Sequence, residues 1–191
     1  MRLVTLVLPV LLAAPLAAQD LAGEYIAAAR VFSLPGAPND PEEQMLAARE
    51  MVAALAGAWV PAWILLDDIS GPDGLGRVAM IGADLPGWCG RLQHQATPLG
   101  LHSFEMRTIN NGEDSGFAVR HQYVLGRSFQ RSVDEVAHLT RLGLQDRPDD
   151  IPPMLYGNPG ISGVVEVFRP SANVLVIQPQ GGTAEIYLRC R

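Results

Sequence analysis

The chain has 191 residues, with 14 basic against 20 acidic side chains and a formal net charge of −6. That balance, with no basic run anywhere, disfavours nucleic acid and anionic membrane surfaces, which need clustered positive charge. All 14 basic residues are arginine, which excludes Schiff-base chemistry, a Ser-Lys hydrolase and a Walker A phosphate loop, each of which requires a lysine.

The first stretch, MRLVTLVLPVLLAAPLAAQD, reads as a secretory signal. Arg2 is a short positive region, Leu3 to Leu12 an apolar one, and Ala17-Ala18 a small-residue exit. A membrane-spanning helix needs about 20 apolar residues, and this run is about half that with Pro9 inside it. The expected leader is 1–18, and the expected location is the bacterial periplasm or the exterior, without stable membrane insertion. About 173 residues then remain, a normal size for one domain with a single core.

A helical segment is expected over 19–58. DLAGEYIAAARVF sets Leu21, Tyr25, Ala28 and Phe32 on one helical face. DPEEQMLAAREMVAALAG carries Asp40 as N-cap, Pro41 in the first turn, Glu42 and Glu43 at the positive end and Gly57 near the stop. Its apolar face is expected to be Met45, Ala48, Val52 and Leu55.

From Trp59 onward the pattern changes to short β-like runs between Gly, Pro, Asn and Asp. The expected strands are AWVPAWILL, GRVAMIG, CGRLQHQA, LHSFEMRTI, GFAVRHQYVLGRSF, GVVEVFR, NVLVIQ and TAEIYLRC. Asn111-Gly112 is a hairpin signal. The strand after it alternates, with Phe117, Val119, His121, Tyr123 and Leu125 on one face and Arg120 and Gln122 on the other. One inserted helix is expected over SVDEVAHLTRLG, with Ser132 and Glu135 at capping-box spacing. A proline-rich stretch, QDRPDDIPPMLYGNPGIS, follows as an ordered loop or lid. The last three strands form a meander. This pattern predicts a mainly β fold, an antiparallel barrel of about eight strands over 59–191, with a β-sandwich or an α+β fold as alternatives.

Export gives the two cysteines a purpose. In an oxidising compartment a pair is read as a bridge, and Cys-x-x-Cys is absent, so Cys89 and Cys190 are expected to be joined. The bridge would hold the last strand to the body.

LAGAW, with Gly57 and Trp59 opening the first strand, resembles the Gly-x-Trp of the lipocalin-like (calycin) barrels. The resemblance implies an eight-stranded up-and-down barrel around a small apolar ligand. In that family the tryptophan plugs one end and a basic side chain from the last strand packs over it; Arg189 or Arg191 matches that position, with Arg189 preferred. It also implies a disulfide to the C-terminal region.

No motif names an activity, and nothing marks the chain as an enzyme. The four histidines, His94, His102, His121 and His138, form no His-Glu-x-x-His or His-x-His, although His102 and His121 sit on two arms of a hairpin where zinc would need a further carboxylate. Asp67, Asp68 and Asp73 miss the calcium-loop spacing, and Gly-x-Ser-x-Gly is missing around Ser162. No cofactor is implied. The better candidate is the barrel interior, where Phe104 and Met106 would face Phe117, Val119 and Tyr123, with His121 and Tyr123 as polar groups able to orient a ligand. The expected function is therefore non-enzymatic binding of a small apolar molecule, the PPMLYGNPG loop acting as a lid. The alternative is an envelope interaction or inhibitor module with a closed core, working through its N-terminal helices or through Trp63 and Trp88 with a protein partner that the sequence does not identify.

Overall fold

The computed structural model describes residues 21–30, 38–62, 85–133, 138–140, 143 and 162–191. Two helices, α1 (Leu21–Arg30) and α2 (Pro41–Ala54), precede eight strands: β1 (Gly57–Pro61), β2 (Leu92–Pro98), β3 (Ser103–Asn110), β4 (Glu113–Leu125), β5 (Ser128–Val133), β6 (Gly163–Phe168), β7 (Val174–Pro179) and β8 (Glu185–Arg189). Every neighbouring pair is antiparallel, the strands follow chain order, and β8 returns to pair with β1, closing a barrel. Closure leaves no sheet edge with unpaired backbone groups. The sandwich and α+β alternatives are thereby set aside.

The β3–β4 connection is two residues, Asn111 at φ 51° and Gly112 at φ 81°. Two consecutive left-handed residues match the strand twist, which is why Asn-Gly suits this hairpin. The stretch GFAVRHQYVLGRSF is two strands rather than one: Gly126 at φ 59° turns the chain, and β5 folds back on β4 with Leu125 opposite Ser128. A register shift between Tyr123 and Leu125 turns Leu125 out of the inward series, and it is 62% exposed. Ser132 belongs to β5, opposite Arg120, and is not a helix cap; helix is described only at 138–140. GRVAMIG, Trp63, the Asp67–Asp73 stretch and PPMLYGNPG lie outside the described residues.

The N-terminal helices serve different surfaces. At α2, Asp40 accepts a hydrogen bond from the Glu42 amide at 2.9 Å, and Pro41 needs no donor partner in the first turn. Its buried Ala48 and Val52, with Leu55 just beyond, share one apolar cluster with Trp59, Phe129 and Val167, so α2 caps one end of the barrel. Met45 is not on that face but 45% exposed; Met51 packs there instead. Helix α1 lies on the outer wall, where Leu21, Tyr25 and Ile26 pack with Val174, Val176 and Leu188. Glu24 ties it there by accepting from Asn173 Nδ2 at 3.1 Å. Among the described residues no helix is long and apolar enough to cross a membrane.

Cys89 and Cys190 form a disulfide, with Cα atoms 5.9 Å apart. The Cys190 amide also donates to the Ala58 carbonyl at 2.9 Å, continuing the β8–β1 seam past the last strand residue. The chain end is thus held both covalently and by the sheet.

Candidate functional site

Inward-facing positions divide the barrel into a filled half and a hollow half. The filled half lies beneath α2. Trp59 is fully buried and donates from Nε1 to the Leu55 carbonyl at 2.9 Å. Arg189, its direct partner across the β1–β8 seam, sets its guanidinium 4.8 Å from the Trp59 ring centre. Arg189 Nη2 also donates to the Ala54 carbonyl at 3.1 Å and to that of Ala56. Those carbonyls end α2, so the cation meets the negative end of the helix. Gly57 makes room: a Cβ there would lie 3.3 Å from Arg189 Nη2. Phe104, Phe129 and Tyr123 complete this half with edge-on ring contacts at 5.6 and 5.7 Å.

Beyond Phe104 the lumen opens into a cavity of about 380 Å³. Its apolar wall is Pro61, Met106, Phe117 and Val119. The rest is polar. Arg131 of β5, 2% exposed, reaches across the lumen to Glu185 of β8 and makes two parallel hydrogen bonds, Nη1 to Oε1 at 2.9 Å and Nη2 to Oε2 at 2.7 Å. Because β5 and β8 are not neighbours, this ion pair braces the barrel from inside. The Arg131 Nε–H donates to His121 Nε2 at 3.2 Å, and the Tyr187 hydroxyl donates to Glu185 Oε2 at 2.8 Å. His94 stands edge-on to Tyr187 at 5.4 Å, with Nδ1 3.3 Å from the Thr108 hydroxyl.

Burial sets the protonation of these groups. It lowers His121 to about 3, helped by the Arg131 charge and opposed by the Val119 carbonyl. His94 is lowered chiefly by burial, with Glu185 raising it and Arg131 lowering it. Tyr187 is pushed up, first by burial and then by Glu185. Among the described residues, the Arg131–Glu185 ion pair thus faces the neutral side chains of His94, His121 and Tyr187 at neutral pH. His121 Nε2 accepts from arginine, which never releases its proton, so a neutral ring must carry its hydrogen on Nδ1. That Nδ1 is itself buried, and the Val119 backbone is the group that acts on the ring by hydrogen bonding.

Of the ligand-contacting residues expected from sequence, Met106 and His121 line the cavity. Phe104 lies behind His121, stacked on its ring at 4.4 Å and fully buried. Tyr123 packs in the filled half and near His102, ring centres 5.9 Å apart. His102 and His121 do not face each other; their cross-strand partners are Tyr123 and Phe104. No three His, Cys, Asp or Glu side chains converge on a metal-sized site among the described residues. Arg131, Glu185, Tyr187 and His94 were missed. The signal was present at the last strand, since TAEIYLR places Glu185, Tyr187 and Arg189 on one face. It was hidden at Arg131 by reading that stretch as the approach to a helix.

Comparison with family models, curated proteins and solved structures finds no match to the chain.

Proposed function

We propose that the protein is an exported binding module that holds a small molecule inside its barrel. The observation that carries this reading is the cavity of about 380 Å³, walled on one side by apolar side chains and on the other by buried polar ones. Its volume falls in the lower part of the range for small-molecule sites, and the mixed lining suits recognition. A filled apolar lumen would serve stability better, because a buried ion pair often costs as much in desolvation as it gains in attraction. The Arg131–Glu185–His121 cluster is thus more readily explained by something it recognises.

The stacking of Arg189 on Trp59, with Gly57 leaving space, supports the lipocalin-like reading and with it a ligand-holding barrel. The secretory-type N-terminus and the Cys89–Cys190 bridge support an oxidising destination such as the periplasm. Protein expressed through the periplasm should show, in a native mass spectrum, extra mass that falls away on denaturing. Repeated preparations at the bare chain mass, with added apolar and amphipathic molecules failing to bind, would defeat the proposal.

One observation favours a surface role instead. Met45 and Leu46 of α2, Leu99 and Leu101 between β2 and β3, and Val124 and Leu125 at the end of β4 are all exposed apolar side chains. They are set toward the α2 end of the barrel, where the Gly126 amide donates to Gln44 Oε1 at 3.1 Å. An empty cavity would leave this surface as the working part.

A further inference from the structure

Outside the barrel, a groove of about 500 Å³ runs between α2 and the β5–β6 side of the barrel end. Ala47, Met51 and Ala54 line it from one face of α2, and the short alanine side chains leave it open. Phe168 lines it from β6, with the buried Phe129 and Val167. It is separate from the barrel cavity: the two share no described lining residue.

The groove also gathers cations that lack acids. Elsewhere Arg107 and Arg120 pair with Glu105, and Arg131 with Glu185. Arg127 and Arg169 line the groove, and among the described residues neither pairs with a carboxylate. Arg127 lays its guanidinium over the Phe168 ring, 5.2 Å from the ring centre. Among the described residues its side chain makes no hydrogen bond and none of its nitrogens is buried, so its donors are open to solvent. Arg169 gives Nη2 to the Ala172 carbonyl at 3.2 Å and has Nε buried, which leaves Nη1 as its open donor. Arg189 reaches the same carbonyl at 3.5 Å, so two cations converge on one oxygen. Burial first, and then the Arg189 charge, lower the pKa of Arg169. Like charges held this close in a half-buried place repel until an anion joins them. Glu50 also borders the groove, but it is exposed and pairs with neither arginine.

We infer that this groove is a second ligand site, which takes a single-chain amphiphile with an anionic head. The head accepts charge-assisted hydrogen bonds from Arg127 and Arg169, and the chain lies along Met51 and Phe168. A neutral head forgoes those bonds, and a cationic head is repelled.

The test uses the disulfide-bonded protein with carbon-13 methionine methyl groups, because Met51 lines the groove and Met106 the barrel cavity. Decanoate, decanol and decyltrimethylammonium, each kept below its micellar concentration, share one chain length and differ in head charge. Decanoate should shift the Met51 methyl signal and bind there about tenfold more tightly than decanol, the factor that charge-assisted hydrogen bonds supply at a half-exposed site. Decyltrimethylammonium should bind more weakly than decanol, and added salt should weaken decanoate alone. Arg127→Gln with Arg169→Gln should bring decanoate down to the level of decanol and leave decanol unchanged. If that variant folds poorly, the comparison of heads on the unmutated protein still decides. Equal binding of decanoate and decanol at Met51, a decanoate shift at Met106 alone, or no Met51 shift from any probe would each overturn the inference. A Met51 signal that moves with protein concentration before any probe is added would put a second copy of the chain in the groove and overturn it as well. The barrel reading stands or falls separately, on the native mass measurement and on Met106.

Discussion

At the scale of single residues, His121 makes stability depend on pH. The folded protein holds its ring neutral down to about pH 3, whereas an unfolded histidine takes up a proton near its ordinary value of 6.5. Between those values the unfolded chain binds more protons, so acid favours unfolding and the contribution is complete only above the upper one. The slope for one group is at most about 1.4 kcal/mol per pH unit. His94, also lowered, adds in the same direction below its ordinary value. Urea unfolding at about pH 7.5, 6 and 5 should show stability falling with pH, and His121→Gln should remove a large part of that fall. An unchanged pH profile in the variant would contradict the neutral buried ring. Glu105 acts in a separate, more acidic window. Burial raises its pKa, but hydrogen bonds from Arg107 and Arg120 outweigh burial and leave it lowered. Its contribution is present above the ordinary carboxylate range and is lost as pH falls through the depressed value.

At the scale of elements, the closed end shows how a short sequence pattern becomes a joint. Gly57 opens β1 at φ 133°, a conformation that side chains rarely adopt, and its missing Cβ leaves space for Arg189. Trp59, two residues on, presents its ring to the same guanidinium and its Nε1 to the end of α2. One arginine therefore joins the first strand, the last strand and the helix between them and the solvent. Gly57→Ala should cost about 1–3 kcal/mol, through backbone strain and displacement of Arg189 together. Thermal unfolding followed by tryptophan fluorescence reads both, because a displaced guanidinium also changes the surroundings of Trp59. A variant as stable as the parent, with unchanged fluorescence, would show that the joint tolerates a Cβ.

At the scale of the whole molecule, closure and covalent linkage act on the same seam. The β1–β8 pairing joins segments at opposite ends of the barrel sequence, so it must overcome a large loop-closure cost. The Cys89–Cys190 bridge, 101 residues apart in sequence, ties the end of β8 to the segment just before β2 even in the unfolded chain, which shortens the loop that pairing β8 with β1 must close. On the chain-entropy account such a loop contributes about 4 to 5 kcal/mol. Cys89→Ser with Cys190→Ser should therefore unfold at distinctly lower urea concentration. The denatured, unreduced parent should weigh two hydrogens (about 2 Da) less than the reduced chain. Unaltered stability in the double variant would mean that the sheet alone secures the chain end.

Several features of the fold are written locally. Asp40 and Pro41 start α2, Asn111-Gly112 turns β3 into β4, and the alternation from Phe117 to Tyr123 assigns inside and outside, because each rests on backbone preferences or a two-residue period. The sequence also brought Cys89 to Cys190 and Arg189 toward Trp59, the first from the chemistry of an exported pair and the second from a family resemblance. Strand pairing across the barrel, rather than any local pattern, makes Gly126 divide one long run into two strands and swings Leu125 outward, since a turn and a bulge depend on what pairs across them. Only that pairing could bring Arg131 and Glu185 together across the lumen. Their strands are separated by two others, and no local period links them. The candidate site is made by closure of the sheet, and closure is a property of all eight strands at once.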